Sequence, residues 1–188
     1  KYRAFSNTCG SVTRSVWSLI IRLKYVADLS YWAWPTKKPY TITTYYQYRW
    51  GKFHSAIDIY VGWGSPIYAA LDGVVVSAQY GGMMGGSAGC NIVLQHENGY
   101  YTAYAHLRGK CKNDRGCKSC DLIAVGTSVK RGQQIAKMGH TGVATGTHLH
   151  FGLAEGWNAT SFNSYSFNPR NLFQFPSLID YGGGYFSR

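Results

Sequence analysis

From Tyr40 onward the chain is a succession of short apolar or alternating runs cut apart by glycine-rich turns, and this rhythm narrows the fold more than any other feature. The runs "AIDIYV", "GVVVSAQ", "NIVLQHE", "YYTAYAHL", "QQIAKMG" and "HLHFGLA" each have the length and composition of a strand. Between them lie "GWGSP", "YGGMMGGSAG", "ENG", "RG" and "TGVATG", all turn chemistry. A dense series of short strands predicts a mainly β fold, an antiparallel sheet or sandwich. The 23 glycines suit many tight turns. A length of 188 residues fits one domain with a small extension and buries a core without help from metals or staples.

The ends read differently. "SVTRSVWSLIIRLKYVADL" (Ser11–Leu29) places Val12, Val16, Leu19, Leu23 and Val26 three or four apart, which predicts a short helix packed on the domain. Arg14, Arg22 and Lys24 interrupt it too often for a membrane span, and no run of about 18 apolar residues exists anywhere. Pro35 and Pro39 make "SYWAWPTKKPY" a connector. The tail beyond Phe167 reads as a wrap-around ending in a loose terminus. The division expected is therefore 1–39, N-terminal helical extension and connector; 40–175, the β domain; 176–188, tail. A chain that opens on Lys1 is read as a mature or trimmed fragment.

Chemistry concentrates in three stretches. "HSAID" sets His54 and Asp58 four apart, "YAHL" puts His106 at a strand end, and "HLHF" sets His148 and His150 two apart. In strands, positions two or four apart face the same way, so these five side chains are expected to line one trough. A catalytic zinc takes three protein ligands from His, Asp or Glu and keeps a fourth position for water. The remaining histidines then serve as general base and as stabiliser of the oxyanion. Spacing alone does not say which of His148 and His150 holds the metal.

With these motifs in order, Tyr45–Ala154 resembles the lysostaphin-type (LytM-type) zinc endopeptidases of bacteria, which cut peptide crosslinks of peptidoglycan. Their pattern of H-x-x-x-D, a small-residue strand pair, Y-x-H-L and G-x-T-G-x-x-T-G-x-H-L-H-F appears as "HSAID", "GSPIYAALDGVVVSA", "YAHL", "VKRGQQIAKMGHTG" and "ATGTHLHF". The resemblance implies a compact antiparallel β-sheet domain with a groove, one catalytic Zn2+, and an extracytoplasmic site of action. It implies that His54, Asp58 and His150 bind zinc, that His148 is the general base, and that His106 orients water and stabilises the tetrahedral intermediate. It further implies an oxyanion role for a tyrosine six residues before the first ligand, which is Tyr48, with Tyr45 and Tyr46 as neighbours of the same type. Two positions depart from the family. Ala56 stands where glycine is usual, tolerable unless the backbone there needs positive φ, and Thr147 stands where proline is frequent.

Charge and cysteines complete the reading. Nineteen Lys and Arg against eight Asp and Glu give a formal net charge of +11, which favours a polyanionic partner. Peptidoglycan peptides are the expected substrate and an anionic wall polymer an expected contact. Nucleic acid is not expected, since no nucleic-acid-binding signature accompanies the charge. Cys111, Cys117 and Cys120 fall in an inserted loop after "YAHL", together with Lys110, Lys112, Arg115 and Lys118. A disulfide within that loop is favoured over a second, structural zinc, because disulfides persist in an oxidising compartment. Cys9 with Cys90, or either with a loop cysteine, is the remaining bridge, and connectivity stays open. His96 and His140 read as structural or rim residues. The competing function is a wall-binding or regulatory module whose groove is covered by residues 1–39.

Overall fold

The computed structural model describes residues 32–97, 99–156 and 166–169. The helix expected over Ser11–Leu29 and the tail 176–188 lie outside these residues. Twelve strands follow in chain order among the described residues: β1 (Thr41–Thr44), β2 (Gln47–Arg49), β3 (Lys52–His54), β4 (Ile57–Tyr60), β5 (Pro66–Tyr68), β6 (Gly73–Tyr80), β7 (Cys90–Gln95), β8 (Tyr100–Leu107), β9 (Ser128–Val129), β10 (Gln134–Lys137), β11 (Leu149–Glu155) and β12 (Ser166–Phe167). The main sheet has the order β1-β4-β11-β8-β7-β6-β9, with β12 added on β11, and every pairing is antiparallel. The hairpin β2–β3 and the pair β5–β10 stand apart from it.

The period-two alternation assigns each residue to a face. Ile57 and Ile59 of β4, Leu149, Phe151 and Leu153 of β11, Tyr104 of β8, and Ile92 and Leu94 of β7 are fully buried in one large core. Register locks them together, with Phe151 opposite both Ile57 and Tyr104, and Tyr104 opposite Ile92. The intervening positions carry Val93, Ala103 and Ala154, which form a second, smaller cluster under Met83 and Met84. Asp58, His150 and Ala105 share that parity. Large residues thus hold one face shut, while small ones on the other leave room around the polar groups.

Trp32, in the stretch read as a connector, is 3% exposed and packs edge-on against His96 and Tyr100. Backbone bonds tie its neighbours down, from Ala33 N–H to Ala70 C=O and from Tyr68 N–H to Pro35 C=O. His96 is structural, as expected of it. It donates from Nδ1 to the Asp72 carbonyl (2.8 Å) and meets the Thr102 hydroxyl at Nε2 (2.9 Å). That hydroxyl lies 3.0 Å from the Tyr104 hydroxyl, which accepts the Ala70 N–H.

Burial pushes the pKa of His96 down to about 4. The folded state therefore binds fewer protons than the unfolded chain between pH 6.5 and 4. Stability from this residue is complete above pH 6.5 and falls as pH drops toward 4, by about 3 kcal/mol at 1.36 kcal/mol per unit. Thermal unfolding followed across that window is expected to show a steeper fall in Tm for the natural protein than for His96→Gln. Equal slopes would remove His96 as the cause.

Candidate metal centre

Five side chains converge at the edge of the small-residue face, each brought by a different local device. Asp58 sits in mid-β4 and His150 near the start of β11, directly opposite each other in the antiparallel register. His54 reaches them otherwise than by alternation within one strand. "HSAID" is not continuous: β3 ends at His54 and β4 begins at Ile57. His54 arrives on the β2–β3 hairpin, whose two-residue turn has positive φ at Trp50 (49°) and Gly51 (74°). This turn geometry matches the twist of paired strands. Ala56 has no positive φ, Trp50 and His106 being the only non-glycine residues that do among those described. The alanine in the usual glycine position is thus accommodated, fully buried.

His54 Nε2 is 3.1 Å from Asp58 Oδ1 and 3.1 Å from His150 Nδ1, and His150 Nδ1 is 3.0 Å from Asp58 Oδ1. The three residues form the one group of metal-type donors found among the described residues. His54 donates from Nδ1 to the Tyr45 carbonyl at 2.9 Å, so in the neutral ring Nε2 is bare. A bare nitrogen at 3.1 Å from a carboxylate oxygen is repulsive unless a proton or a cation lies between them. Two imidazoles and a carboxylate are a donor set that zinc takes, and donors around a tetrahedral zinc with bonds of about 2.0–2.1 Å sit about 3.3 Å apart. The residues therefore fit a divalent ion with only small spreading.

The electrostatics agree. Burial alone would lift the Asp58 carboxyl, but hydrogen bonds from His150 and His54 overcome it and hold Asp58 well below the usual carboxylate range. Burial lowers His54, yet the Asp58 carboxylate outweighs it and the net shift is upward. His150 is lowered, by burial first and against the pull of Asp58. Arg49 closes the far side: its Nη1 bonds to Thr44 Oγ1 and lies 3.9 Å from Asp58 Oδ2. One carboxylate oxygen thus faces the histidines and the other faces the guanidinium.

Two further imidazoles flank this trio. His106 and His148 have ring centroids 4.6 Å apart, and His106 lies 5.8 Å from His150. His148 donates from Nδ1 to the Gly146 carbonyl (2.9 Å), which leaves Nε2 facing the site, 3.6 Å from Asp58 Oδ1. His106 has φ of 58°, a strained value for a side-chain-bearing residue. It is pinned by Gly139 N–H on its carbonyl (3.0 Å) and by its own Nδ1–H on the Thr141 carbonyl (2.9 Å). Burial, then the neighbouring His148 and His150, pushes its pKa down to about 3, so the ring is neutral.

Tyr48 lies on the hairpin with its ring 77% exposed and packed edge-on against Phe53. Of its two neighbours, Tyr45 takes the His54 bond on its backbone carbonyl, and Tyr46 donates its hydroxyl to the Ser166 carbonyl. His140 donates from Nε2 to the Ala144 carbonyl on the rim.

Sequence reasoning missed Thr141, Arg49 and Asp114. Thr141 is fully buried and also bonds Leu107 C=O and Cys90 N–H through its hydroxyl. The threonine inside "GHTG" was the one available signal. The cysteines resolve into Cys111–Cys117, the bridge expected within the loop, and Cys90–Cys120, which ties the loop to β7. With all three loop cysteines paired, none is left for a second zinc.

Residues 52–164 match the family described as Peptidase family M23. Over 100 residues the chain is 38% identical to the peptidoglycan DD-endopeptidase ShyA of Vibrio cholerae, which covers 53% of this chain and 20% of that protein. Among solved structures, a zinc-containing peptidase from Vibrio cholerae aligns at 29% identity with a TM-score of 0.55, over 72% of this chain and 37% of that one. The antimicrobial peptidase lysostaphin from Staphylococcus simulans aligns at 25% identity with a TM-score of 0.59, over 81% and 57% respectively. The chain spans about a fifth of the length of the first curated relatives it matches. The antiparallel sheet expected from the resemblance is the one these structures share.

Proposed function

The chain belongs to peptidase family M23, and on that premise we propose that it is a zinc-dependent endopeptidase that hydrolyses amide bonds in peptidoglycan crosslinks or stem peptides. The observation that carries this reading is the convergence of His54 Nε2, Asp58 Oδ1 and His150 Nδ1 to 3.0–3.1 Å of one another, with the imidazoles of His106 and His148 beside them. These three residues are the metal ligands in this reading, and residues 40–175 the peptidase unit.

Bound there, zinc supplies Lewis acidity, polarising a carbonyl and acidifying water. The chain does the rest. His148, held at Nδ1 by Gly146, accepts a proton at Nε2 and later returns it to the leaving amine. His106, kept neutral by burial and fixed through Thr141, offers Nε2 to orient the water and steady the tetrahedral intermediate. The expected oxyanion contact, Tyr48, stands beside Phe53 on the hairpin face opposite His54, so this reading routes no step through it. The peptidoglycan named for the relatives supports a site of action outside the cytoplasm, and the surplus of 11 positive charges suits an anionic wall polymer as a further contact in this reading. No helix among the described residues is long and apolar enough to cross a membrane.

The test is digestion of purified peptidoglycan from walls of several crosslink types, with the released fragments identified by mass spectrometry. One zinc per chain, new amine termini at a defined crosslink, loss of cleavage on chelation and recovery on adding zinc are expected. Bound zinc with unchanged fragment patterns on every wall type would overturn the reading in favour of a regulatory module.

A further inference from the structure

Beside the metal centre stands an arrangement that the hydrolytic chemistry does not use. Trp63, in the turn after β4, is 51% exposed, and the Arg108 guanidinium lies 3.8 Å over its ring. Arg108 is two residues past His106, about 7 Å of extended backbone. It pairs with no carboxylate among the described residues, and its Nε is buried without any acceptor. The nearby acid is already committed. Asp114, 1% exposed, accepts the indole N–H of Trp63 (2.8 Å), the backbone N–H of Gly109 (3.0 Å) and that of His140 (3.1 Å).

The assembly is rigid by construction. The Cys111–Cys117 and Cys90–Cys120 bridges staple the loop that carries Asp114, and Asp114 fixes the indole on which Arg108 rests. The same clamp reaches His140, next to the Thr141 that holds His106. Stacking occupies one face of a guanidinium and, with Nε buried, leaves the two terminal Nη groups for two parallel bonds to a carboxylate. A fixed cation with no carboxylate partner among the described residues, laid against a half-exposed aromatic ring, is a receptor lacking its anion.

Resting on the reading of the neighbouring groove as a peptide-cleaving site, we propose that Arg108 and Trp63 form a subsite for a free carboxylate of the wall peptide, adjoining the bond that is cut. The two disulfides and Asp114 pre-organise it. This subsite selects peptides that carry the carboxylate over those in which it is amidated.

The test is equilibrium binding, by calorimetry on the zinc-loaded protein, of a synthetic stem peptide with free carboxylates and of the same peptide with carboxamides. The acid form is expected to bind about 10- to 100-fold more tightly. Arg108→Gln is expected to abolish that preference without changing zinc content, and Arg108→Lys, which keeps the charge but not the fork, to retain only part of it. Equal affinity of the natural protein for the two peptides, or a preference that survives in Arg108→Gln, overturns the proposal. Glycerol 3-phosphate is the third probe. If it binds through Arg108 as tightly as the acid peptide, assignment to a wall-peptide carboxylate fails. The measurement needs no cleavage, so the two readings fail separately. A preference without hydrolysis removes the peptidase and keeps the subsite, and hydrolysis without preference does the reverse.

Discussion

Replacing His148 by alanine is expected to slow peptide hydrolysis by about 100- to 10,000-fold while one zinc stays bound per chain. The division follows from which nitrogen each ring presents. His148 spends Nδ1 on the Gly146 carbonyl and lies 3.6 Å from Asp58 Oδ1, outside the trio whose donors are 3.0–3.1 Å apart. Removing it takes away the proton acceptor and none of the three ligands. His54→Ala is the contrasting case. It deletes a donor and leaves Asp58 and His150 as a two-point site, so both zinc and activity are expected to go. Metal content by elemental analysis, measured with turnover on the same preparations, checks both. Activity of His148→Ala within a few-fold of the natural protein, or loss of its zinc, would defeat the assignment of base and ligands.

Gly89→Ala is expected to be strongly damaging to the scaffold and to disable the site from a distance. Gly89 has φ of 65° and ψ of −146°, a region open essentially to glycine. An added Cβ would also lie 2.4 Å from the Thr141 carbonyl carbon and 2.5 Å from its oxygen, both backbone atoms. The conformational cost of about 1–3 kcal/mol and an overpacking cost of about 1–3 kcal/mol act together, for about 2–6 kcal/mol in all. At about 2–4 °C per kcal/mol for a chain of this size, Tm is expected to fall by about 4–24 °C. The damage reaches function because the displaced carbonyl is the acceptor that orients His106. Gly116→Ala is the control: φ is 76°, but nothing lies within 4 Å of the new methyl, so only the conformational cost remains. Equal Tm shifts for the two variants would refute the close-approach argument.

The amino-acid sequence determined the donors, their order and the strand carriers. β4, β6, β7, β8, β10 and β11 each coincide with a run legible from its local pattern, because alternation and turn residues are properties of neighbours in the chain. β1 and the β2–β3 hairpin were not legible. "TITTYYQYRWGKF" is largely exposed and mixes polar with aromatic residues, so it carries no apolar period to read. Tertiary structure alone decided the rest, through contacts between segments far apart in the chain. The β4–β11 register sets His150 against Asp58. The hairpin turn, not strand periodicity, delivers His54. Three backbone carbonyls, those of Tyr45, Thr141 and Gly146, choose which nitrogen of His54, His106 and His148 faces the centre. Pairing across 92 residues between Asp58 and His150 is stabilised by the packing of Ile57, Tyr104 and Phe151 on the opposite face. No local spacing encodes such packing, which is why spacing could name five candidate side chains but could not say which of them meet.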